Sequence, residues 1–316
     1  MNGSQRLAII GAGHVGATAA YTIMLRALFP EIVLVDSDSA LAHAEAEDLA
    51  DASVLGRPVR IWAGDYTDAA AARIAVVTAG AATHGSEPRT SVASKSAAIV
   101  AECVGQLIDA GFDGILIVAA NPVDVMAMVA FNRSGLRSGQ VIGTGTLLDT
   151  CRLRRGLAGR TGVAAASVDG LVLGEHGDSE AVMFSQMRIG GLDLGDFLAP
   201  AGEPNHDDIA TGVRRAAYEI IEGKGYTSFG IASAIARICE AIIRDEHVVL
   251  PVSSLLSGQF GIDNVYLSLP CLLGKNGISK VLLPPLSESE EASLRASGEV
   301  VKAAFAALLA AKRSSS

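Results

Sequence analysis

His176, Asp149 and Arg152 are the residues of this chain best suited to chemistry. His176 lies in Gly174-Glu175-His176-Gly177-Asp178, where small neighbours leave an imidazole room to face a cleft. An imidazole gives and takes protons near neutral pH, which suits a general acid or base. Asp149 and Arg152 lie three apart in Asp149-Thr150-Cys151-Arg152, and on a helix that spacing puts them on one face. A guanidinium there can grip a carboxylate through two parallel hydrogen bonds, which lysine cannot imitate. Asp149 can accept the second imidazole N–H, fix its tautomer and stabilise the imidazolium. The plain alternative for the pair is an intrahelical salt bridge.

A second constellation opens the chain. Gly11, Gly13 and Gly16 fall between an expected strand and an expected helix. Such a loop turns tightly, lets the backbone approach a pyrophosphate, and offers that anion the free N–H groups of a helix start. His14 and Val15 belong to the same turn, and Asp36 follows 20 residues after Gly16, at the end of the second expected strand. A carboxylate in that place accepts ribose hydroxyls and repels a 2′-phosphate, and neither Ser37 nor Asp38 would welcome one. This favours NAD over NADP, with a helix N-cap as the alternative role for Asp36. Asn121, in Asn121-Pro122-Val123-Asp124, follows another strand at the carboxyl end where α/β sheets bind ligands; a simple Asn-Pro turn is its alternative.

The elements that must carry these residues alternate in the first half. Strands are expected at 7–10, 32–35, 59–62, 74–78, 115–119 and 141–143, with helices at 15–28, 40–54, 92–110 and 123–132. Alternation of this kind predicts a doubly wound parallel sheet with helices on both faces. The second half reads as α+β: helices at 147–157, 207–222, 227–245 and 288–311, and strands at 169–173, 182–189, 248–254, 265–268 and 278–281. Residues 312–316 are expected to lie past the closing helix. No linker intervenes, so the boundary is placed near residue 143, between a nucleotide-binding part (1–143) and a catalytic part (144–316) that share a large interface.

Bulk composition narrows the partners. The chain has 316 residues, half of them hydrophobic, and carries a formal charge of −9 with no basic tract. That argues against nucleic acid or an anionic membrane as the main partner. Cys103, Cys151, Cys239 and Cys271 show no metal or redox spacing and read as buried small hydrophobes in a reducing compartment. No signal peptide or membrane-spanning run is visible, so a cytoplasmic protein is expected.

Taken in order, Gly11–Gly16, Thr78-Ala79-Gly80-Ala81, Asn121-Pro122-Val123-Asp124, Gly143-Thr144-Gly145-Thr146-Leu147-Leu148-Asp149, Gly174–Ser179, Gly223-Lys224-Gly225-Tyr226-Thr227-Ser228, Asp263–Pro270 and Lys275-Asn276-Gly277-Ile278 resemble the lactate/malate dehydrogenase family, on its lactate-type side, over nearly the whole chain. The resemblance implies a Rossmann NAD domain followed by an α+β catalytic domain. It implies hydride exchange between NAD and a small 2-oxo or 2-hydroxy monocarboxylic acid, no metal, and a homotetramer or at least a dimer. It makes His176 the acid/base, Asp149 its orienting carboxylate and Arg152 the substrate-carboxylate clamp. Arg89 becomes a lid arginine that polarises the carbonyl, and Thr227 a wall of the substrate pocket. Gly11, Gly13, His14, Val15, Gly16, Asp36, Thr78, Ala79, Gly80, Asn121 and Ile231 fall on cofactor-binding positions, Asn121 also on a substrate contact.

The chain departs from that pattern on the lid. The specificity position, glutamine in lactate-type and arginine in malate-type enzymes, is Thr83 here. An uncharged, short side chain argues against oxaloacetate, whose second carboxylate would be buried unpaired. Neighbouring His84 could supply a charge, but the next side chain along a lid is expected to point outward. A smaller residue also enlarges the pocket, favouring tolerance of longer or branched 2-oxo acids, as in L-2-hydroxyisocaproate-type enzymes. Pro88 before Arg89, with Ser91 and Ser94, makes the lid unusual. Some bacterial members bind a sugar bisphosphate through an arginine, matched by Arg154, and a histidine, where this chain has Asp169; a carboxylate there predicts no such activation. A malate-type enzyme and a non-catalytic family member are the rival readings.

Overall fold

The computed structural model describes residues 5–81, 89–198 and 205–314. In the first half, strands β1 (Arg6–Ile10), β2 (Glu31–Val35), β3 (Arg60–Ala63), β4 (Ile74–Val77), β5 (Ile115–Val118) and β6 (Val141–Gly143) alternate with α1 (His14–Leu25), α2 (Ser39–Val54), α3 (Tyr66–Ala70), α4 (Arg89–Asp109) and α5 (Val123–Ser134). The strands pair in parallel in the order β3-β2-β1-β4-β5-β6. The order reverses beside β1, and that reversal opens a crevice at the strands' carboxyl ends.

Alternation along the strands explains the layering. Leu7 and Ile9 of β1, Ile32 and Leu34 of β2, and Ile74 and Val76 of β4 feed one core. Their neighbours Ala8, Ile10, Val33, Val35, Ala75 and Val77 feed the other. Successive strand side chains point to opposite faces, so a strand covered on both sides must be apolar throughout.

The second half contains α6 (Leu147–Thr161), β7 (Val168–Asp169), β8 (Val172–Leu173), β9 (Ala181–Val182), β10 (Arg188–Ile189), β11 (Leu192–Asp193), α7 (Leu194–Leu198), α8 (His206–Lys224), α9 (Phe229–Ile243), β12 (Val248–Ser257), β13 (Asp263–Gly274), β14 (Gly277–Val281) and α10 (Glu288–Ser314). It does not stand apart from the first half. β12 pairs antiparallel with β6 at Ser253–Gly143, and β13 and β14 follow, giving one nine-stranded sheet. Helix α9 supplies Ile235, Ile238 and Ile242 to the same core as α1.

Several elements differ from expectation. The strand expected over 169–173 is two strands: β7 pairs with β10, and β8 with β9 in another sheet. The strand expected over 182–189 is broken by a 3-10 turn at Phe184–Gln186 where the chain moves between those sheets. β13 runs past Pro270, which faces Pro251 across the ladder. Helix α6 runs to Thr161 and stops at Gly162, whose φ of 72° is left-handed. Helix α10 continues to Ser314, three residues beyond the expected end. Short α3, α7 and β11 carried no periodicity to mark them. The cysteines are free, but only Cys239 and Cys271 are buried; Cys103 is half-buried and Cys151 exposed, because α6 turns that face outward. Among the described residues no helix is long and apolar enough to cross a membrane.

Candidate active site

The nucleotide loop joins β1 to α1. Gly11 has φ +103°, and a Cβ on Gly16 would overlap the Gly11 carbonyl oxygen. Gly16 is therefore needed for the helix to start this close to the strand. Gly13 is different: nothing lies within 4 Å of where its Cβ would stand. It is the N-cap of α1 and gives the helix no side-chain cap. The first-turn N–H groups of His14, Val15 and Gly16 thus face an open, uncapped cradle suited to a diphosphate.

Asp36 follows β2. Its Oδ2 accepts Ala12 N–H at 2.6 Å and its Oδ1 accepts Asp38 N–H at 2.9 Å. Ser37 Oγ also donates to Oδ1, at 3.4 Å, and of a carboxylate's about four lone-pair sites one remains for a ribose hydroxyl. The N-cap of α2 is Asp38, which accepts from Ala40 and Leu41, so capping does not consume Asp36. Thr78 and Ala79 close the floor: Thr78 Oγ1 donates to Gly11 O at 2.7 Å, and Ala79 N–H to Ile10 O at 3.0 Å. Gly80 lies beside Ala120, which brings the ends of β4 and β5 together. These features fit a dinucleotide.

His176 is locked by its loop. Gly174 has φ +95° and bridges Ser268 of β13, and a Cβ there would strike Ser297. Glu175 N–H donates to Ser297 Oγ of α10 at 2.7 Å, and His176 N–H to Asp124 Oδ2 of α5 at 2.8 Å. Asp124, 1 % exposed, also accepts Ser253 Oγ–H. Burial pushes its pKa up to about 6, against those two bonds.

The imidazole meets the helix pair the sequence singled out. Asp149 Oδ2 accepts His176 Nδ1–H at 2.6 Å, leaving Nε2 for a ligand, and Asp149 Oδ1 accepts from Arg152 Nη1 at 2.7 Å. The intrahelical salt bridge and the imidazole contact therefore coexist. Burial favours neutral forms at both partners, but their mutual charge wins. Burial pulls His176 down, yet the Asp149 carboxylate beside it outweighs this and brings it up to about 9. Asp149, 1 % exposed, feels burial raising its pKa, but the charges and hydrogen bonds of His176 and Arg152 hold it below the usual carboxylate range.

Arg152 also lines a cavity of about 270 Å³ with Leu148, Thr227, Phe229 and Ile231. Three residues named from sequence, Arg152, Thr227 and Ile231, thus share one wall. Asn121 stands exposed at the carboxyl end of β5, after which the Asn121–Pro122 peptide is cis. Thr83 lies outside the described residues, and so does the side chain of Arg89, which opens α4.

The sequence reading missed three participants. Tyr226 stacks on His14, centroids 4.0 Å apart and planes 11° from parallel, tying the nucleotide loop to the α8–α9 turn. Asp124 anchors the histidine loop; its place in Asn121-Pro122-Val123-Asp124 was the available signal. Glu180, four residues past His176, is 6 % exposed and its Oε1 has no hydrogen-bond partner among the described residues. One donor atom each from Asp149, His176 and Glu180 lie within 4.8 Å of one another. That is close enough for a metal, but Asp149 already spends both oxygens on Arg152 and His176.

The lactate/malate dehydrogenase NAD binding domain matches residues 5–143, and that family's alpha/beta C-terminal domain matches residues 146–311. An L-lactate dehydrogenase of Thermus aquaticus is 42% identical over 308 residues, covering 96% of this chain and 99% of the relative. One of Priestia megaterium is 39% identical over 302 residues, covering 95% of each. Among solved structures, a lactate dehydrogenase enzyme from a Medee basin deep-sea metagenome library superposes with a TM-score of 0.93 at 37% identity, covering 96% of this chain and 99% of that one. The minor L-lactate dehydrogenase of Enterococcus mundtii, ligands bound, gives 0.92 at 34% identity, covering 96% and 98%. Matched along both halves and in overall fold, the chain belongs to the lactate/malate dehydrogenase family.

Proposed function

We propose that this protein is an NAD-dependent L-2-hydroxy acid dehydrogenase whose main substrate pair is pyruvate and L-lactate. The observation that carries the reading is the Arg152–Asp149–His176 relay, bonded at 2.7 and 2.6 Å. When bound, the reduced nicotinamide supplies a hydride. The chain's residues do the rest. Arg152 holds the substrate carboxylate. Protonated His176 gives its Nε2 proton to the oxygen that gains charge, and Asp149 keeps the imidazolium in place. Arg89 adds a second cation when the lid closes and water is expelled. Asn121 and Thr227 complete the substrate pocket. Gly11, Gly13, His14, Val15, Gly16, Asp36, Thr78, Ala79, Gly80 and Ile231 hold the cofactor. The division at residue 143 separates most of these duties, with Arg89 and Asn121 reaching the substrate from the first part and Ile231 the cofactor from the second.

Thr83 makes oxaloacetate a poor substrate, since its distal carboxylate would lack a cation. Leu148, Phe229 and Ile231 in the cavity support tolerance of larger 2-oxo acids. Steady-state NADH oxidation with pyruvate, 2-oxoisocaproate, phenylpyruvate and oxaloacetate tests the reading. Pyruvate or a larger monocarboxylate should give the highest kcat/KM; a clear preference for oxaloacetate overturns it, and no turnover with any of them leaves the non-catalytic alternative.

Arg154 donates to Gly170 O at 3.2 Å and approaches Asp169 at 3.5 Å, so it is engaged by its own subunit. Fructose 1,6-bisphosphate should leave the rate unchanged. Helices α1 and α2 expose Tyr21, Leu25, Leu41 and Val54, and the residue capping α2, Leu55, is 93 % exposed. Apolar side chains in that number support burial against other copies in a tetramer or dimer. Four unbridged cysteines suit the cytoplasm.

A further inference from the structure

A second buried carboxyl beside the acid/base pair has no place in the mechanism above. Glu180 is 6 % exposed, and its Oε1 is sealed from solvent with no hydrogen-bond donor among the described residues. Its neighbours are Asp149 and His176, with donor atoms inside 4.8 Å. The other charges that bear on it are Arg152 of α6 and Arg214 of α8, both attractive to its anion. Arg152 is committed to Asp149 at 2.7 Å, and Arg214 turns toward Thr211 Oγ1 at 3.5 Å. An ionised carboxylate in this position is poorly compensated, and a buried, unpaired charge is costly.

Charge counting shows when that cost falls due. Asp149 and Arg152 cancel. A protonated His176 adds one positive charge, and an ionised Glu180 removes it. An arriving substrate carboxylate then leaves one negative charge in excess, and adding buried Asp124 as an anion and the lid's Arg89 as a cation leaves that balance unchanged. Asp149 already spends both oxygens, so the carboxyl beside it with an oxygen free to take a proton is Glu180.

We propose that Glu180 takes up a proton from solvent when a substrate carboxylate enters, so that anion binding is linked to two ionisations, at His176 and at Glu180. This rests on the dehydrogenase reading above. Glu180 does not exchange its proton with the reacting atoms; it balances charge behind them. Its own basicity agrees: burial, and then the Asp149 charge, push it up to about 8. A carboxyl of that kind is largely ionised in the empty pocket on the alkaline side and is reprotonated once an anion is added beside it.

Oxamate, an unreactive isostere of pyruvate, is the probe. Its affinity for the NADH-loaded protein is read by quenching of NADH fluorescence, from about pH 6.5 to 9.5. Two linked protons weaken binding roughly a hundredfold per pH unit once both groups are deprotonated in the free site; one linked proton weakens it roughly tenfold. The wild-type protein should approach the steeper limit above about pH 9. Glu180→Gln should never exceed the shallower one, and Glu180→Asp should recover part of the difference. A wild-type dependence no steeper than tenfold per unit overturns the proposal, as does a Glu180→Gln protein that keeps the steep dependence. If Glu180→Gln fails to fold, the wild-type steepness alone decides. If wild-type protein binds NADH but no oxamate at any pH, the dehydrogenase reading itself falls.

Discussion

The two ends of the crevice are built in opposite ways. At the nucleotide loop, recognition comes from what is left out: Gly13 has empty space where a Cβ would be, and Gly16 admits none. At the acid pocket, recognition comes from what is packed in: Asp149, His176, Arg152 and Glu180 crowd one buried volume with their charges nearly in balance. The first site tolerates little change in shape, and its one carboxylate, Asp36, is tied to the loop through Ala12 N–H. The second tolerates isosteric change but not change in protonation. Steric sites fail through the fold, and charged sites fail through the chemistry.

His176→Asn tests the second half of that contrast most severely. It removes the proton donor while keeping a side chain that can face Asp149. Stopped-flow NADH oxidation should show the chemical step slowed by roughly 10² to 10⁴-fold, the usual worth of a positioned general acid, with NADH binding unchanged. A loss below tenfold would place the proton elsewhere.

The glycine pair sharpens the first half. Gly16→Ala drives a methyl into the Gly11 carbonyl and should cost about 1–3 kcal/mol of stability in urea unfolding, as overpacking does. Gly13→Ala meets nothing, at an ordinary φ of −68°. Its unfolding midpoint should be unchanged, while NADH titration shows weakened binding. Equal stability losses in the two proteins would break the distinction.

The acid pocket should also respond to pH in a way the loop does not. His176 is more basic in the fold, at about 9, than the ordinary value of 6.5. Its pairing with Asp149 therefore stabilises the protein fully below about pH 6.5 and less as pH rises through about 9. Reduction of the oxo acid needs the proton, so kcat/KM for pyruvate should fall across the same rise, about tenfold per pH unit beyond it from His176 alone and more steeply where Glu180 must be protonated too, while hydroxy acid oxidation gains. The smallest effect is expected at Asp36. Asp36→Ala should narrow the preference for NADH over NADPH by about tenfold, since it removes a repulsion without creating a phosphate site. An undiminished preference would assign the discrimination to another residue.

Much of this was legible before any coordinates. Six parallel strands could be read because strands covered on both faces leave continuous apolar runs, as in Ile74–Val77. The three-residue step from Asp149 to Arg152 guaranteed a shared helix face. What could not be read depended on partners distant in the chain. Pro270 looked like a strand end, but it stands inside the ladder opposite Pro251, a partner 19 positions away. Glu180 resembled any loop carboxylate until Asp149, 31 positions earlier in the sequence, was seen to close over the same volume.

The pairing of β12 with β6 reaches beyond catalysis. A fragment ending near residue 143 would present the backbone donors and acceptors of β6 to water. It would also lose α9, whose Ile235, Ile238 and Ile242 shield one side of the sheet. Neither portion of the polypeptide is then equipped to survive unaccompanied. Heating should produce a single calorimetric transition per subunit, and recombining halves from different relatives would demand matched seams along both that strand and that helix.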